Sequence, residues 1–386
     1  ANLCSAILLL ALFPPFLLAQ QSPVGGYPFT VNYTRGVDYY GSLQTWGVTR
    51  DANGILLFGN SNFGIQQFDG THWRRIKTPA NAQATSFTKD TQGRIYAGSI
   101  NAFGRMAEDE TGSIIFEDLT YLLPDSLRNT GEIRHTVATE EHVYFLANQA
   151  GYRFNKKEQT VAAFRAADRF TGAVQTEEEV WIFDSGRGLL RAAENGSLIE
   201  VPGAFPDGAH HLINLNGQPV LVTEDFRLWR SGPGGWRETI RLERTVGDSG
   251  IEAITALNDG SMAIASIEGV FIYDDTGAQR YHFTSENGLT ADHAYNLFQD
   301  DEGILWVTGG NGISGIEIGR PMREFLPMQG LPDDGIRFVS EYNGEVFIAS
   351  QYGLYTGKDD GFEQHLPDQV IYGLLEAPAG MLIAAD

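Results

Sequence analysis

Asp300-Asp301-Glu302-Gly303-Ile304-Leu305-Trp306-Val307-Thr308, followed closely by Asn311-Gly312-Ile313, is the stretch that decides the fold of this chain. It reads as an acidic turn, a short apolar run and a second turn centred on glycine, which is a strand between two hairpin signals. The phrase returns as DANGILLFG (51–59), DTQGRIYAG (90–98) and EYNGEVFIA (341–349). Weaker copies are TEEHVYFLA (139–147), TEEEVWIFD (176–184), LNGQPVLVT (215–223) and LNDGSMAIA (257–265), and a ninth, EAPAGMLIA, occupies 376–384. Self-similarity at a period of about 40 residues, built from short strands, marks the four-stranded blade of a β-propeller. The expected fold class is all-β: a β-propeller of four-stranded blades, about seven of them, with the start of a second propeller or an eighth blade.

Residues 45–79 show one unit strand by strand. TWGVTRD (45–51) is the innermost strand, ILLFGN (55–60) the second and GIQQFD (64–69) the third. After the Asp69-Gly70 turn, THWRRIK (71–77) is the outermost. The unit from 99 to 138 is the longest and carries a Leu-rich insertion, EDLTYLLPDSLRNTGE (117–132), in which a helical turn is expected. Two arrangements of the repeats stay open. Seven units close one propeller spanning 21–320, with a break at Gly319-Arg320-Pro321 and further, incomplete repeats over 321–386; or all units form one larger disc. The first is favoured, and because the last unit stops part-way the sequence is expected to be a fragment of a longer protein.

The 45 glycines supply the positive φ angles that tight hairpins need. With 27 Lys plus Arg against 49 Asp plus Glu, the net charge is −22, which repels phosphate backbones and argues against nucleic-acid binding by this segment. The start, ANLCSAILLLALFPPFLLAQQSP, is too short and too broken by proline to span a bilayer, and it ends in a signal-peptidase-like Ala19-Gln20-Gln21. Residues 1–20 are therefore expected to be an export signal. Cys4 precedes the apolar run, so a lipoprotein anchor is not expected, and the mature chain has no cysteine for disulfide or thiol chemistry.

The copy SENGLTADHAYNLFQDDEGILWVTGGNGISGIEI (285–318) resembles the two-component regulator propeller repeat. Gly288, Leu289, Asp300, Gly303, Leu305, Trp306, Thr308, Asn311 and Gly312 match its pattern; Thr290 in place of proline and the order Thr308-Gly309 depart from it. The segments YYGSLQTWGVTRDANGILLFGNSNFGIQQFDGTHW (39–73) and GRIYAGSINAFGRM (93–106) are similar to the opening of large periplasmic sensor domains in that family. The resemblance implies the extracytoplasmic sensing region of a one-chain or hybrid two-component receptor. Such a receptor would carry further blades, a three-tyrosine β-sandwich, an inner-membrane anchor and a cytoplasmic output, most often a histidine kinase, none of which lies in this segment. It also implies a homodimeric receptor and an oligosaccharide or other small-molecule ligand.

Propellers hold ligands at one end of the central channel, near the starts of the innermost strands. Counting five residues back from each phrase selects Trp46, Thr85, Arg134, Thr171, His210, Glu252, Tyr295 and Ile336, with His211, His293 and Arg337 one or two positions away. Trp46, Arg134, His210, Glu252, Tyr295 and Arg337 are the candidate ligand-binding residues. Aromatic faces for stacking and charged groups for orientation suit a sugar-like molecule. The alternative is a ring of channel residues that satisfy one another and water.

Other motifs are weaker. Gly310-Asn311-Gly312-Ile313-Ser314-Gly315 fits a dinucleotide fingerprint in letters only, since strand rather than helix is expected after it. Adjacent His210 and His211 would point to opposite faces of a regular strand and so would not share a metal. Asp274-Asp275 and Asp300-Asp301-Glu302 lack the spacing of a calcium loop. No catalytic residues, cofactor or metal site is expected. The leading reading is a binding module; the alternatives are a propeller lyase or glycosidase, or a protein-binding scaffold using the 107–132 insertion.

Overall fold

The computed structural model describes residues 26–176, 179–232, 235–243, 250–325, 329–332, 335–358, 361–377 and 380–385; the expected export signal and Cys4 lie outside them. The chain divides into a larger unit, Pro28–Met322, and a smaller one that holds Arg323–Asp386.

The repeated phrase folds as a hairpin because its leading Asp closes the turn. Asp51 Oδ1 accepts the backbone N–H groups of Asn53 and Ile55, both at 2.8 Å. Asp90 Oδ1 accepts those of Gln92 and Arg94 at 3.0 Å, and Asp300 Oδ1 those of Glu302 and Ile304 at 2.9 and 3.0 Å. The glycine three residues after each Asp takes a left-handed backbone, with φ of 85° at Gly54, 80° at Gly93 and 82° at Gly303, where a side chain would strain the turn. Replacing Asp51 by Ala removes two hydrogen bonds from one turn and is expected to cost about 1–2 kcal/mol, with Asp51→Asn largely neutral. Urea denaturation of the two variants checks this, and an equal loss in both would sink the assignment.

The apolar run after the turn is continuous rather than alternating because it is covered on both faces. Leu56–Asn60, Ile95–Ser99, His142–Leu146, Met262–Ser266 and Leu305–Gly309 are buried at every position.

Seven four-stranded antiparallel sheets make up the larger unit. Their innermost strands are Thr45–Arg50, Ala84–Lys89, His135–Ala138, Phe170–Gln175, Ala209–Leu215, Ala253–Ala256 and Ala294–Gln299, and define blades one to seven. Each packs beside the next, and the seventh packs beside the first, so the ring closes around a central channel. Blades one to six draw all four strands from consecutive sequence. Blade seven takes its outermost strand from the other end of the unit: Thr30–Tyr33 pairs antiparallel with Gly312–Ile316, with Tyr33 opposite Ile313. This is a seven-bladed β-propeller latched by its N-terminal strand.

The core lies between blades rather than in one central mass. Blades two and three pack through Phe103, Phe145, Val143 and Tyr152, and blades five and six through Val220, Val222, Phe226, Ile264 and Phe271. At the closure, Tyr33 stands edge-on to Phe68 at 4.9 Å, Phe68 stacks on Trp73 at 4.3 Å, and Trp306 lies 6.2 Å from Tyr33. Close approach between blades explains the glycine that ends the phrase, since a Cβ at Gly59 would fall 1.7 Å from the Ala84 carbonyl oxygen.

The Leu-rich insertion forms two short 3-10 turns, Thr120–Leu122 and Asp125–Leu127. Leu119 and Leu123 are buried in the cluster between blades two and three, so these leucines seal that seam. The smaller unit holds one four-stranded sheet, Ile336–Tyr342, Glu345–Ser350, Leu354–Lys358 and Gly361–His365, and a hairpin, Ile371–Ala377 with Gly380–Ala385.

Candidate functional site

One irregularity recurs at the start of the innermost strands and builds the site. In blades one, two, four, five and seven the pairing register slips there, between Thr45 and Val48, Ala84 and Ser86, Phe170 and Gly172, Ala209 and His211, and Ala294 and Asn296. In blade three the N–H of Arg134 bonds the Leu146 carbonyl while His135 is also paired with Leu146; in blade six Glu252 and Ala253 share Ala265 in the same way. Two residues opposing one is a β-bulge, which re-aims side chains. The bulged residue is Trp46, Thr85, Arg134, Thr171, His210, Glu252 and Tyr295 in blades one to seven, so the seven sequence-selected positions of the larger unit are structurally equivalent.

These residues differ in what they do. Trp46 and Tyr295 stack across the closure of the ring, 4.5 Å apart and 14° from parallel. Trp46 Nε1 donates to Ser61 Oγ at 2.7 Å, and Gln44 Nε2 donates to Tyr295 Oη at 3.4 Å. His293 meets Tyr295 edge-on at 4.5 Å, and its Nε2 lies 3.8 Å from Glu252 Oε1. A connected wall therefore runs from Glu252 through His293 and Tyr295 to Trp46. Thr85 is a strut instead: it is buried, and its hydroxyl donates to the Ile133 carbonyl at 2.6 Å. Thr171 Oγ1 is buried with no hydrogen-bond partner.

Across the ring stands a basic and imidazole-rich wall. Arg134 is exposed, its Nη2 held 2.9 Å from Glu132 Oε2. The rings of His210 and His211 lie 4.9 Å apart, which corrects the expectation that adjacent residues face opposite ways: the bulge between Ala209 and His211 breaks the alternation. His135 was missed from sequence, although it follows Arg134 as His211 follows His210. Burial, then the nearby Arg134 and His210, lowers the His135 pKa to about 4. Burial, then His210 and His135, lowers that of His211 to about 3. Both imidazoles are neutral at pH 7 and offer donors and acceptors rather than charge. Among the described residues, no group of three or more His, Cys, Asp or Glu could hold a metal ion.

Arg337 occupies the same bulge in the blade of the smaller unit, between Ile336 and Phe338, with its guanidinium 5.6 Å over the Tyr372 ring. It is not a member of the seven-residue ring. The stretch Gly310–Gly315 runs into the strand Gly312–Ile316, not into a helix, so it forms no dinucleotide site.

No family model matches the sequence, and no curated protein is similar to it. Solved structures are similar in fold. The extracellular domain of the BT3049 hybrid two component system from B. thetaiotaomicron is 16% identical with a TM-score of 0.64, covering 92% of this chain and 52% of that one. The extracellular domain of BT4673 from the same organism is 16% identical with a TM-score of 0.57, covering 93% of this chain and 57% of that one. A streptogramin B lyase, 13% identical with a TM-score of 0.58, covers 75% of this chain and 97% of its own. The chain thus spans about half the length of the two extracellular domains. At these identities the likeness establishes the β-propeller fold.

Proposed function

We propose that this propeller is an extracytoplasmic ligand-sensing region of a transmembrane receptor of the two-component type, in which a ligand at the channel mouth biases a cytoplasmic output, with a histidine kinase the leading candidate. In this reading, residues 1–20 are the export signal, 21–320 the sensing propeller and 321–386 further repeats; the parent protein is a homodimer anchored in the inner membrane, and this segment performs no catalysis. The observation that carries the reading is the contrast between frame and ring. The frame repeats, with a hairpin after every innermost strand, closed by Asp and Gly in blades one, two and seven, and with the same bulge from blade to blade, whereas the seven bulged residues are a Trp, two Thr, an Arg, a His, a Glu and a Tyr. Stability needs the frame; a non-repeating ring of stacking, donor and charged groups suits recognition of one polar, carbohydrate-sized molecule.

The test is a thermal-shift screen of the purified chain against oligosaccharides and amino acids, with product analysis of every hit. A ligand of the native state present at a hundred times its Kd stabilises by about 2.7 kcal/mol. Trp46→Ala and Arg134→Ala are expected to leave the chain folded and to abolish the ligand-induced shift. A shift that persists in both variants places the ligand elsewhere, and turnover of a hit moves the protein to the enzyme class.

A further inference from the structure

A cavity of about 330 Å³ lies at the seam where the latch strand joins blades seven and one, and none of the seven bulged residues lines it. Its walls are apolar: Tyr33 from the latch, Leu56 and Phe68 from blade one, and Ile304 and Trp306 from blade seven. Gly315 keeps the cavity open, since a Cβ there would stand 3.1 Å from the Trp306 ring and 3.3 Å from Ile304.

The polar groups of this cavity are predominantly acidic. Asp69, Asp300, Glu302 and Glu317 line it with Arg50 as the one cation of its lining, and Arg320 adjoins. Arg50 is already engaged, at 2.5 Å with Glu302 and 3.5 Å with Asp300, and Asp300 Oδ2 also accepts the Trp306 Nε1–H at 2.9 Å. Arg320 reaches Glu317 Oε1 at 3.0 Å and Glu302 at 3.5 Å. Glu317 is 7% exposed, and its other oxygen, Oε2, is buried without a hydrogen-bond partner. A buried acceptor left unmet is costly, and Glu317 is one of the residues that line the cavity.

We propose that this seam cavity is a binding site for a small organic cation, a primary ammonium carried on an apolar or aromatic body. Its ammonium sits on the unmet oxygen of Glu317 and its body lies against Tyr33, Phe68 and Trp306. Four carboxylates against two guanidiniums favour a cation over an anion of the same shape. The aromatic walls stack on the body and stabilise the charge by cation–π attraction. Because Tyr33 belongs to the latch strand and Trp306 to blade seven, an occupied cavity also ties the ring shut. The inference is independent of the channel-mouth reading and fails or stands separately from it.

The experiment uses phenethylamine, its neutral analogue 2-phenylethanol and its anionic analogue phenylacetate, followed by Trp fluorescence and by thermal shift on the whole chain. Phenethylamine is expected to bind saturably and to raise the melting temperature, with the alcohol at least tenfold weaker and the acid silent. Glu317→Gln, which keeps shape and loses charge, is expected to weaken phenethylamine tenfold or more. Gly315→Ala, whose methyl would press on the Trp306 ring and Ile304 in the cavity wall, is expected to weaken binding. Equal binding of amine and alcohol by the wild-type chain overturns the proposal even if the variants fail to fold, as does unchanged amine binding in a folded Glu317→Gln protein.

Discussion

Replacing Asp90 by Ala is expected to destabilise the larger unit by about 3–5 kcal/mol, the cost of stranding a buried charge. Asp90 sits in the hairpin of blade two with its side chain fully buried, and one oxygen receives both Lys156 Nζ and Arg94 Nη2 at 2.8 Å. Lys156 comes from blade three, is 6% exposed, and donates also to the Thr139 carbonyl at 2.7 Å. Burial alone would raise the Asp90 carboxyl, but the hydrogen bonds from Lys156 and Arg94 outweigh it and hold the group below the usual carboxylate range. The pair is a staple between adjacent blades. Its two halves are unequal: Asp90 keeps Arg94 and two backbone N–H groups when Lys156 is lost, whereas Lys156 keeps only a carbonyl and the Tyr96 ring 5.5 Å away when Asp90 is lost. Lys156→Met is therefore expected to cost well under half as much, and adding it to Asp90→Ala to recover part of the loss. All six tryptophans, at 46, 73, 181, 229, 236 and 306, fall within Pro28–Met322, so the fluorescence transition in urea reports this unit alone. Equal costs for the two single variants would show that the asymmetry argument is wrong.

That staple also marks the limit of what the sequence discloses. Asp90 is legible as a turn residue because its partners are two and four positions along the chain, but nothing local announces Lys156 in the next blade. The blade frame was legible for the same reason as the turn: every hairpin is closed by near neighbours, and the phrase fixes strand register to within a residue. The equivalence of Trp46, Thr85, Arg134, Thr171, His210, Glu252 and Tyr295 follows from that register. The bulge that they share was not legible, because a one-residue slip leaves no mark in a hydrophobic pattern. It pairs His210 with His211, promotes His135, and selects Arg337 rather than Ile336 in the smaller unit. The latch strand Thr30–Tyr33 was equally silent: its four residues carry no copy of the phrase, and their partner lies at the far end of the unit. The 107–132 insertion looked like a free surface because its sequence shows leucines but not the seam they fill.

Lowering the pH from 7.5 to 5.0 is expected to remove up to about 2 kcal/mol of stability for each of His135 and His211, about 4 kcal/mol together. In the unfolded chain both titrate near 6.5; in the folded ring their pKa values fall to about 4 and about 3. The unfolded state thus binds protons that the folded state refuses. Their contribution is intact above pH 6.5 and declines as the pH drops through the window from 6.5 toward 4 for His135 and toward 3 for His211. The surroundings explain the refusal: burial comes first, Arg134 adds positive charge and His210 a neighbouring imidazole on the same wall, Thr171 is neutral, and the carboxylates of Glu132 and Glu252 are engaged with Arg134 and His293. Each ring is half-buried and keeps some contact with water, so 2 kcal/mol is a ceiling. Paired urea titrations at the two pH values measure the loss, and the double variant His135→Gln, His211→Gln is expected to shed most of it while the carboxylates keep theirs. A wild-type slope that survives in the double variant would assign the acid sensitivity to other groups. The same linkage separates ligand classes at the channel mouth: an anionic ligand beside these rings favours their protonation and should bind more tightly as the pH falls toward 5, whereas a neutral sugar gains nothing.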